Sequence, residues 1–124
     1  MEILAMMMTM MNPAMTDDMQ MCMSACMDCM KTCMETMSYC LKMGGSYMEP
    51  MMIGMMRDCA EMCQTCMNMM MCGSEFIGSM CKLCSEVCLK CAECCSAMAD
   101  DEMMMSCAAA CQACADSCMK MCAA

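Results

Sequence analysis

Apolar and polar positions along this chain follow a helical period, but sulfur occupies the apolar places. In the segment CMSACMDCMKTC, Cys22, Cys26, Cys29 and Cys33 are separated by steps of four, three and four residues. Such steps return to one side of an α-helix, because about 3.6 residues make a turn. Met52, Met56, Cys59, Cys63, Cys66 and Met70 form a second stripe. Cys81, Cys84, Cys88, Cys91 and Cys95 form a third, and Cys107, Cys111, Cys114 and Cys118 repeat the first pattern, with Cys122 one turn further on.

The punctuation between the stripes fits four helices. Thr16-Asp17-Asp18 offers a capping hydroxyl and two first-turn acids, and Gly44-Gly45 is a C-terminal stop. Pro50 suits the first turn of a helix that ends near Gly73, a third helix begins around Ser74 or Ser79, and Asp100-Asp101-Glu102 opens the last. The predicted helices cover about 17–43, 49–72, 75–98 and 101–122. Short connections make consecutive helices antiparallel neighbours, so the expected fold is all-α, an up-down-up-down four-helix bundle over 16–124. A Met-rich segment, 1–15, precedes it as a short helix or turn closed by Asn12-Pro13. Charges such as Asp28, Lys31 and Glu35, or Glu86, Lys90 and Glu93, mark solvated faces.

Composition sharpens this picture. The 124 residues include 32 Met and 20 Cys, whereas Leu, Ile, Val and Phe together number nine. A conventional core cannot be built from so few. Dense cysteine often signals a secreted disulfide scaffold, but such scaffolds are loop-rich, and neighbours on one helix face bridge poorly. The net charge of −9, with six Lys and Arg, argues against nucleic acid as a partner and disfavours anionic membrane surfaces. Histidine is absent, which removes imidazole catalysis and the commonest zinc ligand. The first residues carry Glu2 and lack a basic region, so they make a poor signal peptide, and no run reaches the length of a membrane span. The expected location is the cytoplasm, where thiols stay reduced. Base, oxyanion donor and nucleotide loop are all missing, so enzyme chemistry is not expected.

Buried thiols can serve as plain packing. Four full seams of them would bury little apolar area and invite oxidation, which favours metal binding. Zinc and iron–sulfur sites usually draw ligands from turns, whereas Cu(I) is soft, accepts two or three thiolates, and also takes thioethers. The candidate ligands are Cys22, Cys26, Cys29, Cys33, Cys40, Cys59, Cys63, Cys66, Cys81, Cys84, Cys88, Cys91, Cys95, Cys107, Cys111, Cys114, Cys118 and Cys122. A Cys-x3-Cys pair spans one turn and would let one helix grip a nearly linear ion, with Cys-x2-Cys and inter-helix pairs supplying bridges. With each thiolate shared by two ions, capacity is about one Cu(I) per cysteine. Cys72 and Cys94 lie off the seams and are weaker candidates. Met37, Met43, Met48, Met52, Met56, Met98 and Met104 gather at the end where stripe cysteines thin out to Cys40 and Cys95, and neutral thioethers there suit a funnel, while Met15, Met19, Met69, Met70 and Met71 at the other end leave the direction of entry open. Iron–sulfur or thiol–disulfide redox chemistry, and a metallothionein-like zinc or cadmium buffer, remain the alternatives.

The run of Cys-x3-Cys and Cys-x2-Cys steps on four helices, over residues 16–122, resembles the bacterial copper storage proteins. That resemblance implies a four-helix bundle whose inward cysteines hold many Cu(I) ions, methionines at the bundle mouth, assembly as a homotetramer, and exchange with a copper chaperone or chelator. Three departures are plain: the histidines such proteins have near the bundle opening are absent, the methionine content is unusually high, and the twin-arginine signal of exported members is absent. The resemblance is therefore to the cytosolic type.

Overall fold

The structure, a computed structural model, describes residues 3, 6, 12 and 15–122. Most of the 1–15 segment therefore lies outside the described residues. Four helices follow in order: α1 (Asp17–Met43), α2 (Pro50–Cys72), α3 (Ile77–Ser96) and α4 (Glu102–Cys122), with a 3₁₀ turn at Gly45–Met48 between the first two. α1 packs against α2 and α4, and α3 closes the square against the same two. The sulfur pairs give the directions. Cys22 meets Cys118 while Cys33 meets Cys107, and Cys59 meets Cys88 while Cys66 meets Cys81, so both helix pairs run antiparallel. Among the described residues, no helix is long and apolar enough to cross a membrane.

Local chemistry sets the helix ends. Thr16 Oγ1 accepts from the Met19 N–H at 3.1 Å, with Asp17 and Asp18 beside the positive end of the helix dipole. Gly73 sits in the left-handed region at φ 68° and ψ 38°, and its N–H, with that of Ser74, returns to the Met69 and Met70 carbonyls. A Cβ at Gly73 would also stand 3.2 Å from Asn12 Oδ1. Asn12 is buried there, its Nδ2 donating to the Met70 carbonyl at 2.7 Å, so a residue ahead of the bundle closes the end of α2. α3 is shorter at both ends than the spacing predicts. Ser74 Oγ accepts from the Phe76 N–H at 3.1 Å and holds 74–76 in a turn, and beyond Ser96 the chain turns through 97–101. α4 begins one residue later than expected because Asp101 is its cap, accepting from the Met104 N–H at 3.0 Å.

The core is sulfur and alanine. Among the described residues none of the Leu, Ile, Val or Phe is buried; the interior holds Cys, Met and four alanines, Ala60, Ala92, Ala108 and Ala115, which let the helices approach closely. Two hydroxyls join it without being orphaned. Thr36 bonds back to the Thr32 carbonyl at 2.7 Å, and Ser85 reaches across to the Ala115 carbonyl at 3.2 Å.

One polar clasp ties three elements at the Cys40 end. The hydroxyls of Tyr39 in α1 and Tyr47 in the 3₁₀ turn both donate to Asp101 Oδ2, at 2.5 and 2.7 Å, and the two rings meet edge to face at 5.8 Å. The Tyr39 hydroxyl, then that of Tyr47 and the Met104 N–H, hold the Asp101 carboxyl below its ordinary range. In return Asp101 pushes the Tyr39 phenol up to about 12. A carboxyl lowered in the folded state contributes stability above its unfolded value of about 4 and loses it as pH falls through the lower folded value. Asp101→Asn is therefore expected to lower the melting temperature at pH 7 and to flatten its fall between pH 5 and 2. Thermal melts across that range check this, and a variant with the wild-type profile would show that the clasp is decorative.

Candidate metal centre

Each helix delivers its thiols to the axis by the four-three-four rhythm, and antiparallel packing stacks them in layers. Seventeen of the twenty cysteines are buried, from Cys22 through Cys118, and all twenty are free. Adjacent sulfurs lie 3.4 Å apart at Cys66–Cys81, 3.5 Å at Cys59–Cys88, 3.6 Å at Cys29–Cys59, and 3.7 Å at Cys22–Cys118, Cys33–Cys111, Cys63–Cys114 and Cys26–Cys114. These are van der Waals separations, well beyond the disulfide length of about 2.05 Å.

The short contacts run mainly between helices, where bridges were expected, rather than within the Cys-x3-Cys pairs of one helix. Cys84–Cys88, at 3.9 Å, is the intrahelical contact of this kind. Four tetrads bring their sulfurs within 4.8 Å of one another: Cys26, Cys63, Cys84 and Cys114; Cys26, Cys66, Cys84 and Cys118; Cys29, Cys63, Cys88 and Cys114; and Cys29, Cys33, Cys59 and Cys111. Cys22, Cys81 and Cys118 make a triad at the next level. With metal–sulfur bonds of about 2.3 Å, a linear ion separates its two sulfurs by about 4.6 Å and a trigonal ion by about 4.0 Å. Adjacent sulfurs at 3.4–3.7 Å need to open by a few tenths of an ångström or more to reach either spacing, and the 4.8 Å span of the tetrads brackets both. Cys91 and Cys95, both buried, continue the column towards Cys107.

The seam ends at Cys40, whose S–H lies 3.7 Å from Met104 Sδ, with both side chains fully buried. Met52 and Met56 are buried at the same end, Met37 and Met98 are half-buried, and Met43 and Met48 are exposed. A groove of about 490 Å³ opens there, lined by Ser46, Glu49, Met51, Met52, Cys94, Ala97 and Met98. Cys94 is half-buried and Cys72 exposed; Cys122 is half-buried, its S–H donating to the Cys118 carbonyl at 3.4 Å. Sequence reasoning passed over Met23 and Met67, which are buried at the opposite end beside Met19 and Met70. Met23 and Met67 each neighbour a seam cysteine, and that adjacency was the available signal.

Proton sharing dominates the electrostatics. Burial disfavours thiolate at each core cysteine whose titration is displaced, and it is the main cause that pushes up Cys40, Cys94 and Cys122. Against it, neighbouring S–H donors favour ionisation at selected positions. Cys111 lowers Cys29 and Cys59, and Cys114 lowers Cys26 to about 6. The donors are held up in turn, as at Cys63 beside Cys114 and Cys118 beside Cys114. Neighbouring thiols thus favour thiolate at selected positions, while burial opposes general ionisation without a cation.

A helical bundle with a free-thiol column along its axis belongs to the class of soft-metal-binding bundles. Comparison with known families makes this specific: residues 15–123 match the copper storage protein family (Csp), and the chain belongs to it. A crystal structure of a Nitrosospira multiformis protein superposes with TM-score 0.80 at 39% identity, covering 87% of this chain and 98% of the other. The Cu(I)-bound copper storage protein BsCsp3 gives TM-score 0.80 at 31% identity, covering 85% and 98%. Apo copper storage protein 3 from Bacillus subtilis gives 0.74 at 32%, covering 83% and 97%. No curated protein matches the chain.

Burial divides the thiols into two reactivity classes. Under native, reducing-agent-free, anaerobic conditions, Cys72 is expected to react with a disulfide reagent at once, and Cys94 and Cys122 more slowly. The seventeen buried thiols should appear only on unfolding. Kinetic thiol counting with and without denaturant checks this, and many more than three fast thiols would contradict the buried column.

Proposed function

We propose that the chain stores Cu(I) along the bundle axis, with the buried thiolates from Cys22 to Cys118 as ligands, joined at the rim by Cys122 and, in weaker roles, Cys94 and Cys72. The observation that carries this reading is the column of free, buried sulfurs, many in contact at 3.4–4.0 Å and grouped in threes and fours within 4.8 Å. Charge supports the choice of ion. One Cu(I) per thiolate releases one proton and leaves the dry interior neutral, so filling does not accumulate buried charge. The role is sequestration rather than catalysis, in keeping with membership of the copper storage protein family.

Met52, Met56 and Met104 beside Cys40, with Met98 and Met37 at the margins and Met43 and Met48 outside, act as a thioether mouth that passes copper to the thiols. The groove at Met51, Met52 and Met98 supports that end as the mouth. Donors and acceptors of copper there are a chaperone or a small chelator, and the cytoplasm is the compartment in which so many thiols stay reduced. Assembly as a homotetramer is supported by the exposed apolar line of Met27, Met34 and Leu41 at seven-residue spacing on α1.

Anaerobic titration of reduced protein with Cu(I) tests the reading through thiolate-to-copper absorption and bound copper per chain. The expected plateau is about one ion per cysteine. Because the thiols held above their ordinary value must lose protons to bind, loading should weaken as pH falls from 8 to 5, with protons released at each step. Saturation at four ions or fewer, or loss of all copper to a weak chelator, would refute storage and favour iron–sulfur or thiol–disulfide chemistry.

A further inference from the structure

The same core has a second capacity, for a different class of ion. Three of its four tetrads, those containing Cys26 or Cys29 together with Cys84 or Cys88, take one thiol from every helix. Zinc sites usually need turns to gather four sulfurs, but here the bundle cross-section does that work. The tetrads share members, so they cannot all fill together. No selection of them gives more than two at once, because each contains Cys26 or Cys29. The selection that spans all four helices at both levels is Cys26, Cys66, Cys84 and Cys118 with Cys29, Cys63, Cys88 and Cys114.

The geometry points to two tetrathiolate sites for a tetrahedral soft dication of the zinc group, one above the other on the bundle axis. Bonds of about 2.3 Å set the sulfurs of a tetrahedron about 3.8 Å apart. The tetrad sulfurs lie within 4.8 Å of each other and Cys63–Cys114 is already at 3.7 Å, so closure needs side-chain adjustment only. All eight ligands are at most 1% exposed, which excludes competing water.

The charge balance differs from that of copper. Each event is M²⁺ plus four thiols giving a tetrathiolate dianion and four protons, so two negative charges stay in the core. Thiols outside these two tetrads stand ready to donate to them. Cys22 lies 3.7 Å from Cys118 and Cys81 lies 3.4 Å from Cys66, while Cys59 lies 3.6 Å from Cys29 and 3.5 Å from Cys88. S–H donors to thiolate sulfur act as the outer shell that tempers such a centre. No buried cation completes the neutralisation, so Cu(I), which leaves no net charge, displaces the dication. The bundle thereby holds zinc-group ions only while copper is scarce.

Cadmium is the probe, because its sulfur charge-transfer band and ¹¹³Cd shift report the number of sulfur ligands. Reduced wild-type protein is expected to bind two Cd²⁺ per chain, with two ¹¹³Cd resonances in the four-sulfur range, and to release both on Cu(I) addition. Cys26→Ser removes two tetrads and should leave one four-sulfur resonance, as should Cys29→Ser. The double variant should have none, whereas Cys40→Ser, outside every tetrad, should keep both. The wild-type spectrum stands as a test even if a variant fails to fold. Three or more ions in a bridged cluster, a four-sulfur site persisting in the double variant, or no sulfur-bound cadmium would overturn the proposal. Copper capacity is read separately on cadmium-free protein, so either reading can fail without the other.

Discussion

The structure depends on a single constraint: a dry column of thiols has no counter-charge. Every Lys and Arg is outside the buried core, and the buried polar groups are confined to Asn12, Thr36 and Ser85 among the described residues. Thiolates can therefore appear only where neighbouring S–H groups donate or where a cation arrives. A monovalent ion that binds thiolates one for one satisfies the constraint at every stage of filling. A dication bound by four thiolates does not. A preference for Cu(I) would then rest on charge balance as much as on softness.

Such a core is a weak source of stability. Cysteine buries less apolar area than Leu, so helices lined with it gain less from association. What compensates lies at the ends. Thr16 and Asp101 cap the two helices that face each other across the Cys22–Cys118 contact, Gly73 closes α2, and the Tyr39–Tyr47–Asp101 clasp fastens α1 to α4. The empty bundle is held at its rims, and metal binding adds cross-links through its middle. Ligand binding to the folded state alone raises stability by mass action, so a loaded bundle is held along its whole length.

Much of this was legible in the sequence because helical periodicity and metal ligation use the same residues. Cys22, Cys26, Cys29 and Cys33 announce both the helix and its inward face, and Gly44, Pro50 and Gly73 mark boundaries by their backbone preferences. Contacts between distant segments were not legible. Nothing near Asp101 foretells that it accepts hydroxyls from Tyr39 and Tyr47, 62 and 54 residues away. For the same reason the tetrads were hidden: periodicity fixes which face a thiol occupies, but the register between helices decides which four sulfurs meet. The 75–98 helix was overdrawn because Ser74 and the 97–101 turn make local hydrogen bonds that compete with helix.

The two ends of the column are chemically unequal, and the inequality bears on how it fills. At the Cys22 end, Met19, Met23, Met67 and Met70 are all buried, and Asn12 is seated against Gly73 with its amide on the Met70 carbonyl. At the Cys40 end the buried thioethers of Met52, Met56 and Met104 continue outward to half-buried Met98, a groove, and exposed Met43 and Met48. A neutral thioether binds Cu(I) without first losing a proton, whereas Cys40 is held protonated by burial. Copper entry from the Cys40 end, as proposed, would place neutral thioethers first and protonated thiols after them, with a proton released only as each thiol binds.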